Sequence, residues 1–173
     1  MLRAADALDG AVRGLCRVVV VVVGLTLMLT LGANVLARYL FASGGFDWAQ
    51  EVPERLFPWF IMAGAALAVQ QGGHIAVEWA LEKLGRAGRR WLLVAGQLLV
   101  LAAYVKLSFL ALEVAEIASI ERSPALGLSG AHGHWAIAAG CVLIVIGTVT
   151  NTLRVAMLGP EAMPQPSPEV AAT

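Results

Sequence analysis

The sequence predicts an all-α integral membrane protein, four transmembrane helices joined by short amphipathic interfacial helices. Three observations carry this. Apolar residues make up 59% of the 173 positions and charged residues only 14%, where a soluble domain carries about 25% charged. The apolar residues gather into four long runs, each of a length that crosses a hydrocarbon core of about 30 Å as a helix. Trp48, Trp59, Trp91 and Trp135 fall near the ends of those runs, at the headgroup level that indole rings favour. Short alternating segments of the kind that build a membrane barrel are absent from the pattern.

The first run, Val18 to Ala37, is uncharged and bracketed by Arg17 and Arg38. Its valines, Val18 to Val23, favour a strand in water. A lone strand in lipid leaves its backbone polar groups without partners, so the solvent overrides the propensity. The run is longer than a signal-peptide core and no small-residue cleavage site closes it, so it reads as a retained span. The second span covers about residues 56–73. Pro58 sits in its first turn, where a missing N–H costs little, and small residues from Ala63 to Ala68 offer a face for close helix approach. The third runs from about Trp91 to Leu112 and contains Lys106, placed within about two turns of its outer end, where a long stem lifts the ammonium toward headgroups. The fourth, about Trp135 to Leu153, is uncharged and closed by Arg154.

The connecting pieces are patterned too. Residues 46–55 read as a short amphipathic helix leading into the second span, with a bend at Pro53. Residues 74–86 place Val77, Leu81 and Leu84 on one face and Glu78, Glu82, Lys83 and Arg86 on another, a helix for a membrane interface. Glycine, serine and proline punctuate residues 123–133. Residues 1–158 thus form a four-helix membrane domain, and the proline-rich stretch 159–173 a disordered cytoplasmic tail. Eight basic residues (Arg3, Arg13, Arg17, Lys83, Arg86, Arg89, Arg90 and Arg154) share the side of the termini, against Arg38, Arg55 and Arg122 opposite. The positive-inside rule puts both termini in the cytoplasm.

Few residues offer chemistry. Cys16 and Cys141 lie in or beside apolar segments without a CxxC spacing and read as buried thiols. His132 and His134 share a loop, His74 belongs to the opposite side, and no histidine sits in mid-span where bis-histidine haem ligation needs it. Twelve basic residues balance twelve acidic ones, and no basic tract with aromatics marks a nucleic-acid surface. No nucleophile motif, phosphate loop or catalytic carboxylate pair is present, so the sequence predicts neither an enzyme nor a cofactor. Asn34 and Arg38 share a helix face near the outer end of the first span, within reach of Asp47, Glu51 and Glu54, and read as a network that fixes the first loop. Lys106, Glu113 and Glu116 lie roughly on one stripe, with Lys106 a snorkelling or intersubunit ion-pair residue. So few polar residues within the spans argue for an accessory subunit over a complete transporter. A small membrane redox, haem or quinone-linked subunit and a self-contained small oligomeric transporter are the alternatives.

Three stretches carry a resemblance. Asn34-Val-Leu-Ala-Arg38-Tyr39 closes the first span, Trp48-Ala-Gln-Glu51-Val-Pro-Glu54-Arg55 precedes the second, and Gly64-Ala-Ala-Leu-Ala-Val-Gln-Gln-Gly72-Gly-His74-Ile75-Ala-Val-Glu78 follows. Over about residues 15–155 the chain resembles the small, DctQ-like membrane subunit of tripartite ATP-independent periplasmic (TRAP) transporters. It departs from the pattern at Pro53 and at Glu78, where an aspartate is common. The resemblance implies a bacterial or archaeal inner-membrane scaffold beside a large permease subunit and a periplasmic solute-binding protein, importing organic acids or related solutes on an ion gradient, usually sodium. It makes Arg38, Glu51 and Glu54 candidates for first-loop architecture, and His74 and Glu78 candidates for organising the cytoplasmic interfacial helix.

Overall fold

The computed structural model describes residues 2–40, 45–71 and 85–159. They form four long helices: α1 (Leu2–Leu40), α2 (Trp48–Gln70), α3 (Arg86–Ala118) and α4 (Ala131–Leu158). All four are long and apolar enough to cross a membrane. Within lipid, a helix is the one way a single segment pairs its own N–H and C=O groups. The chain is therefore a multi-pass membrane protein, with the described ends of α1 and α4 on one side, here the terminal end, and the 45–47 and 119–130 connections at the opposite, loop end.

The helices outrun the apolar runs. α1 begins well before Val18, because Val12 and Cys16 continue a buried stripe toward the N-terminus. α3 continues six residues past Leu112, carrying Ala115 into the contact with α4. Residues 48–55 do not form a helix of their own. They are the first two turns of α2, which runs through both Pro53 and Pro58. A proline removes one intrahelical bond without ending a helix held by its neighbours. The carbonyl of Glu54, orphaned by Pro58, faces Gly133 of α4, where a Cβ would stand 3.8 Å from the oxygen. The interfacial helix expected over 74–86 falls mostly on residues 72–84, and the tail on 160–173, both outside the described residues, as are His74 and Glu78.

The packing order is α1, α2, α4, α3. α2 lies between α1 and α4, α3 packs on the far side of α4, and α1 touches α4 lightly. Among the described residues α3 packs against α4 alone, so the array is open rather than a closed bundle. Small residues make the close contacts. Ala63 and Ala66 of α2 meet Cys16 of α1 and Ile144 of α4 in the main apolar cluster, with Tyr104 of α3 packed against it. A Cβ on Gly140 would run into Met62, and one on Gly147 would sit 3.1 Å from the Gln70 side chain. Lipid tails are as apolar as leucine, so contact area and close approach drive association here. Leucines, valines and aromatics instead cover the outside of α1 and α3, facing the solvent that suits them.

Candidate functional site

Two polar clasps hold the array, one at each end. At the terminal end, α4 presents successive polar side chains to different neighbours. Thr150 and Arg154 face α1. The Thr150 hydroxyl donates to Asp9 Oδ1 at 2.8 Å, and Arg154 Nη2 lies 2.5 Å from Asp9 Oδ2 and 2.8 Å from Asp6 Oδ1. Asp9 is buried whereas Asp6 is largely exposed, so Asp9 is the partner that has given up water for this pairing. Asn151 faces α2 and donates to the Val69 carbonyl at 3.2 Å. Thr152 faces α3 and donates toward Gln97 Oε1 at 3.1 Å, while Arg90 of α3 donates to the Ala156 carbonyl. A helical advance of about 100° per residue spreads 150, 151 and 152 around the α4 axis, so one segment fastens three helices.

At the loop end the clasp is built from backbone. Both carboxylate oxygens of Glu51, in the first turn of α2, accept N–H bonds of 2.8 Å from Ala125 and Leu126. The loop that supplies them is stiff. Ser123 and Leu128 bond through both backbone and hydroxyl, Arg122 and Ser129 form an antiparallel bridge, and Gly127 takes φ 64°, a conformation that suits glycine. Gly130 passes close under α3, where a Cβ would stand 2.7 Å from the Ala118 carbonyl. A second contact fixes the first connection: Asn34 Oδ1 accepts from the Phe46 N–H at 2.7 Å, and a Cβ on Gly45 would collide with that oxygen.

The sequence-derived candidates thus separate. Asn34 and Glu51 are buried and bonded. Arg38 is exposed and, among the described residues, makes no ion pair with Asp47, Glu51 or Glu54. Its stem lies beside Gly45. Glu54 is exposed on a polar groove of about 590 Å³ that it shares with Asp47, Arg55, Glu121 and Arg122. Lys106 is exposed on α3, which continues for more than three turns beyond it to Ala118. His132 and His134 turn their Nδ1 atoms to the Ser129 and Gly130 carbonyls. Cys16 and Cys141 are buried and free. Among the described residues no group of three His, Cys, Asp or Glu side chains is disposed to hold a metal.

The terminal clasp was missed by reasoning from sequence. Asp9 and Arg154 are far apart in the chain, and one local signal pointed to Asp9. It falls on the same 3–4 residue stripe as Val12 and Cys16, a carboxylate where the periodicity calls for an apolar side chain. Nothing in either clasp is arranged for bond making. Their charged and polar groups hold helices or a loop, and Gln97 Nε2 is left without a partner among the described residues.

The profile of the family described as tripartite ATP-independent periplasmic transporters, DctQ component, matches residues 27–157. The chain belongs to the DctQ family. As a DctQ component it is a multi-pass membrane component of the transporter type that the family description names. It is also 47% identical over 143 residues to an uncharacterized protein, y4mM, of Sinorhizobium fredii (strain NBRC 101917 / NGR234). That match covers 83% of this chain and 26% of the relative, so the chain spans about a quarter of the length of the curated relative it matches. The DctQ match takes in Asn34, Glu51, the loop that binds Glu51 and Arg154. Asp6 and Asp9 lie before it.

Proposed function

We propose that this DctQ-family chain is the fixed scaffold of an importer of organic acids or related solutes driven by an ion gradient, with sodium as the coupling ion. It would support a large permease subunit that works with a periplasmic solute-binding protein. The observation that carries the reading is the openness of the array. α1 and α3 expose apolar faces along their length, and among the described residues the buried polar groups gather at the two ends of the array (Asp9, Gln70, Gln97, Thr148, Thr150 and Asn151 at one, Asn34, Glu51 and Ser123 at the other) with no polar path joining them. A transporter that works alone needs such a path and gates on both sides of it. The relative supports the same view, since its matched segment shares a polypeptide with a further three quarters of chain.

The excess of Lys and Arg at the terminal end supports cytoplasmic termini, which sets the Glu51 clasp and its groove on the periplasmic side. There Arg38 and Glu54 would shape the first loop, and Glu51 the 119–130 loop, on the side the solute-binding protein approaches. His74 and Glu78 would organise the cytoplasmic interfacial helix. Residues 1–158 would be the membrane domain and 159–173 a cytoplasmic tail.

The test is affinity purification of the tagged chain from gently solubilised native membranes. Recovery with a much larger polytopic protein is expected, together with sodium-dependent uptake when that complex and a solute-binding protein are reconstituted. Recovery only as a homo-oligomer, or solute flux through this chain alone in liposomes, would overturn the scaffold reading.

A further inference from the structure

Lys106 is an exposed ammonium at the middle level of an otherwise apolar helix face. The register of α3 on α4 sets its depth. Gln97 meets Thr152 near the terminal end, and Ala118 lies beside Gly130 at the loop end. Lys106 falls between them, and Tyr104, two residues away, packs against the central cluster around Ile144. The nearest acidic residue on the same face, Glu113, is seven residues on, about 10 Å along the axis, and the helix ends about 18 Å beyond Lys106. A lysine stem covers little more than one turn, about 5.4 Å. Side chains on a helix also lean toward its N-terminus, here away from the nearer boundary at the loop end. Snorkelling toward the loop end therefore starts against the lean of the side chain and has about 9 Å to cover from Lys106 to the end of the apolar run at Leu112.

Two residues of helix turn through about 200°, so Lys106 stands opposite Tyr104, on the face turned away from α4. Ala102 and Ala103 lie one turn before it, Phe109 and Leu110 one turn after, with Leu99 and Phe109 both about 70% exposed. Small residues flanked by large ones let another helix approach the Lys106 backbone closely. Among the described residues nothing pairs with the ammonium, and an ion at this depth persists when it has a partner.

We propose that the Leu99–Lys106–Phe109 face of α3 docks a transmembrane helix of a different polypeptide, one that carries an aspartate or glutamate at mid-depth to pair with Lys106. A second copy of this chain does not fit. The sequence has no carboxylate between Asp9 and Asp47, Glu54 and Glu78, Glu82 and Glu113, or Glu121 and Glu161, so a parallel copy brings none to this level. The inference rests on the scaffold reading and names the face and the chemistry by which the large subunit is held.

The test compares tagged wild type with Lys106→Arg, Lys106→Met and Lys106→Glu, each purified from native membranes, with the amount in the membrane fraction as the measure of insertion. Recovery of the large partner should fall at least about tenfold for Lys106→Glu, fall less for Lys106→Met, and hold for Lys106→Arg. Equal recovery of the partner by Lys106→Glu overturns the ion pair while leaving the scaffold reading intact. Failure of the wild type to recover any larger protein overturns both. A photoreactive side chain at Phe109 with Lys106 unchanged gives a readout that no folding defect at 106 can obscure. Cross-links to the large partner support the face, and cross-links to lipid alone or to a second copy refute it.

Discussion

α3 and α4 are equally hydropathic and pack against each other, yet half of the most apolar stretch of α4 is buried and only about a tenth of that of α3. The difference lies in residue size and polarity. α4 presents Gly140, Gly147, Thr148, Thr150 and Asn151 to its neighbours, where α3 presents Leu99, Phe109 and Leu110 outward. Hydropathy reports which solvent a helix accepts, and a protein interior and a lipid tail are nearly the same solvent. Small and polar residues report which helix has protein on several sides. In this molecule α4 is the hub and α3 a flank with one face still free.

The largest effect should come from the polar third of the hub. Replacing Arg154 with leucine leaves Asp9, 3% exposed, as a buried carboxylate with only the Thr150 hydroxyl. Removing one partner of a buried ion pair costs about 3–5 kcal/mol. Unfolding in mixed micelles under increasing SDS should show a loss of that order. The double variant Arg154→Leu with Asp9→Leu should recover most of it, because no uncompensated charge remains. Asp6→Ala removes an exposed partner and should cost less than about 1 kcal/mol. Equal losses for Asp6 and Asp9 variants would mean that α1 is not clasped to α4 at this point.

Next in size is a matched pair of glycines. Alanine at Gly140 forces Met62 to move, whereas alanine at the exposed Gly96 of α3 meets nothing within 4 Å. Overpacking costs about 1–3 kcal/mol, so Gly140→Ala should lower the SDS midpoint. Gly96→Ala should leave it unchanged or raise it by up to about 1 kcal/mol through helix propensity. Similar losses at both sites would erase the distinction between hub and flank.

The spans and their order were legible because crossing lipid imposes a length and an apolar composition on every stretch that does it. The continuity of α2 through Pro53 was not, since a proline predicts a bend where nothing else holds the helix, and neighbouring α4 does hold it. Glu51 was read as part of a network with Asn34 and Arg38 that fixes the first loop, whereas its carboxylate holds the loop between α3 and α4, and those partners were not legible. They are the backbone amides of Ala125 and Leu126, and an amide leaves no mark on the sequence. Asp9 and Arg154 are separated by nearly the whole chain, and their pairing depends on α1 and α4 being neighbours, which follows from the packing order alone. For Lys106 the residue type was informative, but the continuation of α3 beyond the apolar run to Ala118 was not legible.

The smallest expected effect concerns the seam between hub and flank. The Thr152 hydroxyl has one proton and two acceptors, the Thr148 carbonyl at 2.7 Å and Gln97 Oε1 at 3.1 Å. The shorter bond lies within α4 itself and survives any change in α3. Gln97 is buried, and its Nε2 has no partner among the described residues, so the side chain brings a desolvated donor to the contact as well as a shared acceptor. Interhelical hydrogen bonds in membranes average about 0.6 kcal/mol, and here the unmet donor offsets even that. Gln97→Leu should therefore shift the SDS unfolding free energy by no more than about 0.6 kcal/mol in either direction. A loss several times larger would place a polar fastening on the α3 side comparable to the one Asp9 and Arg154 make on the α1 side, and α3 would then be as firmly clasped to the hub as α1 rather than resting on it mainly through Leu93, Ala111 and Ala115.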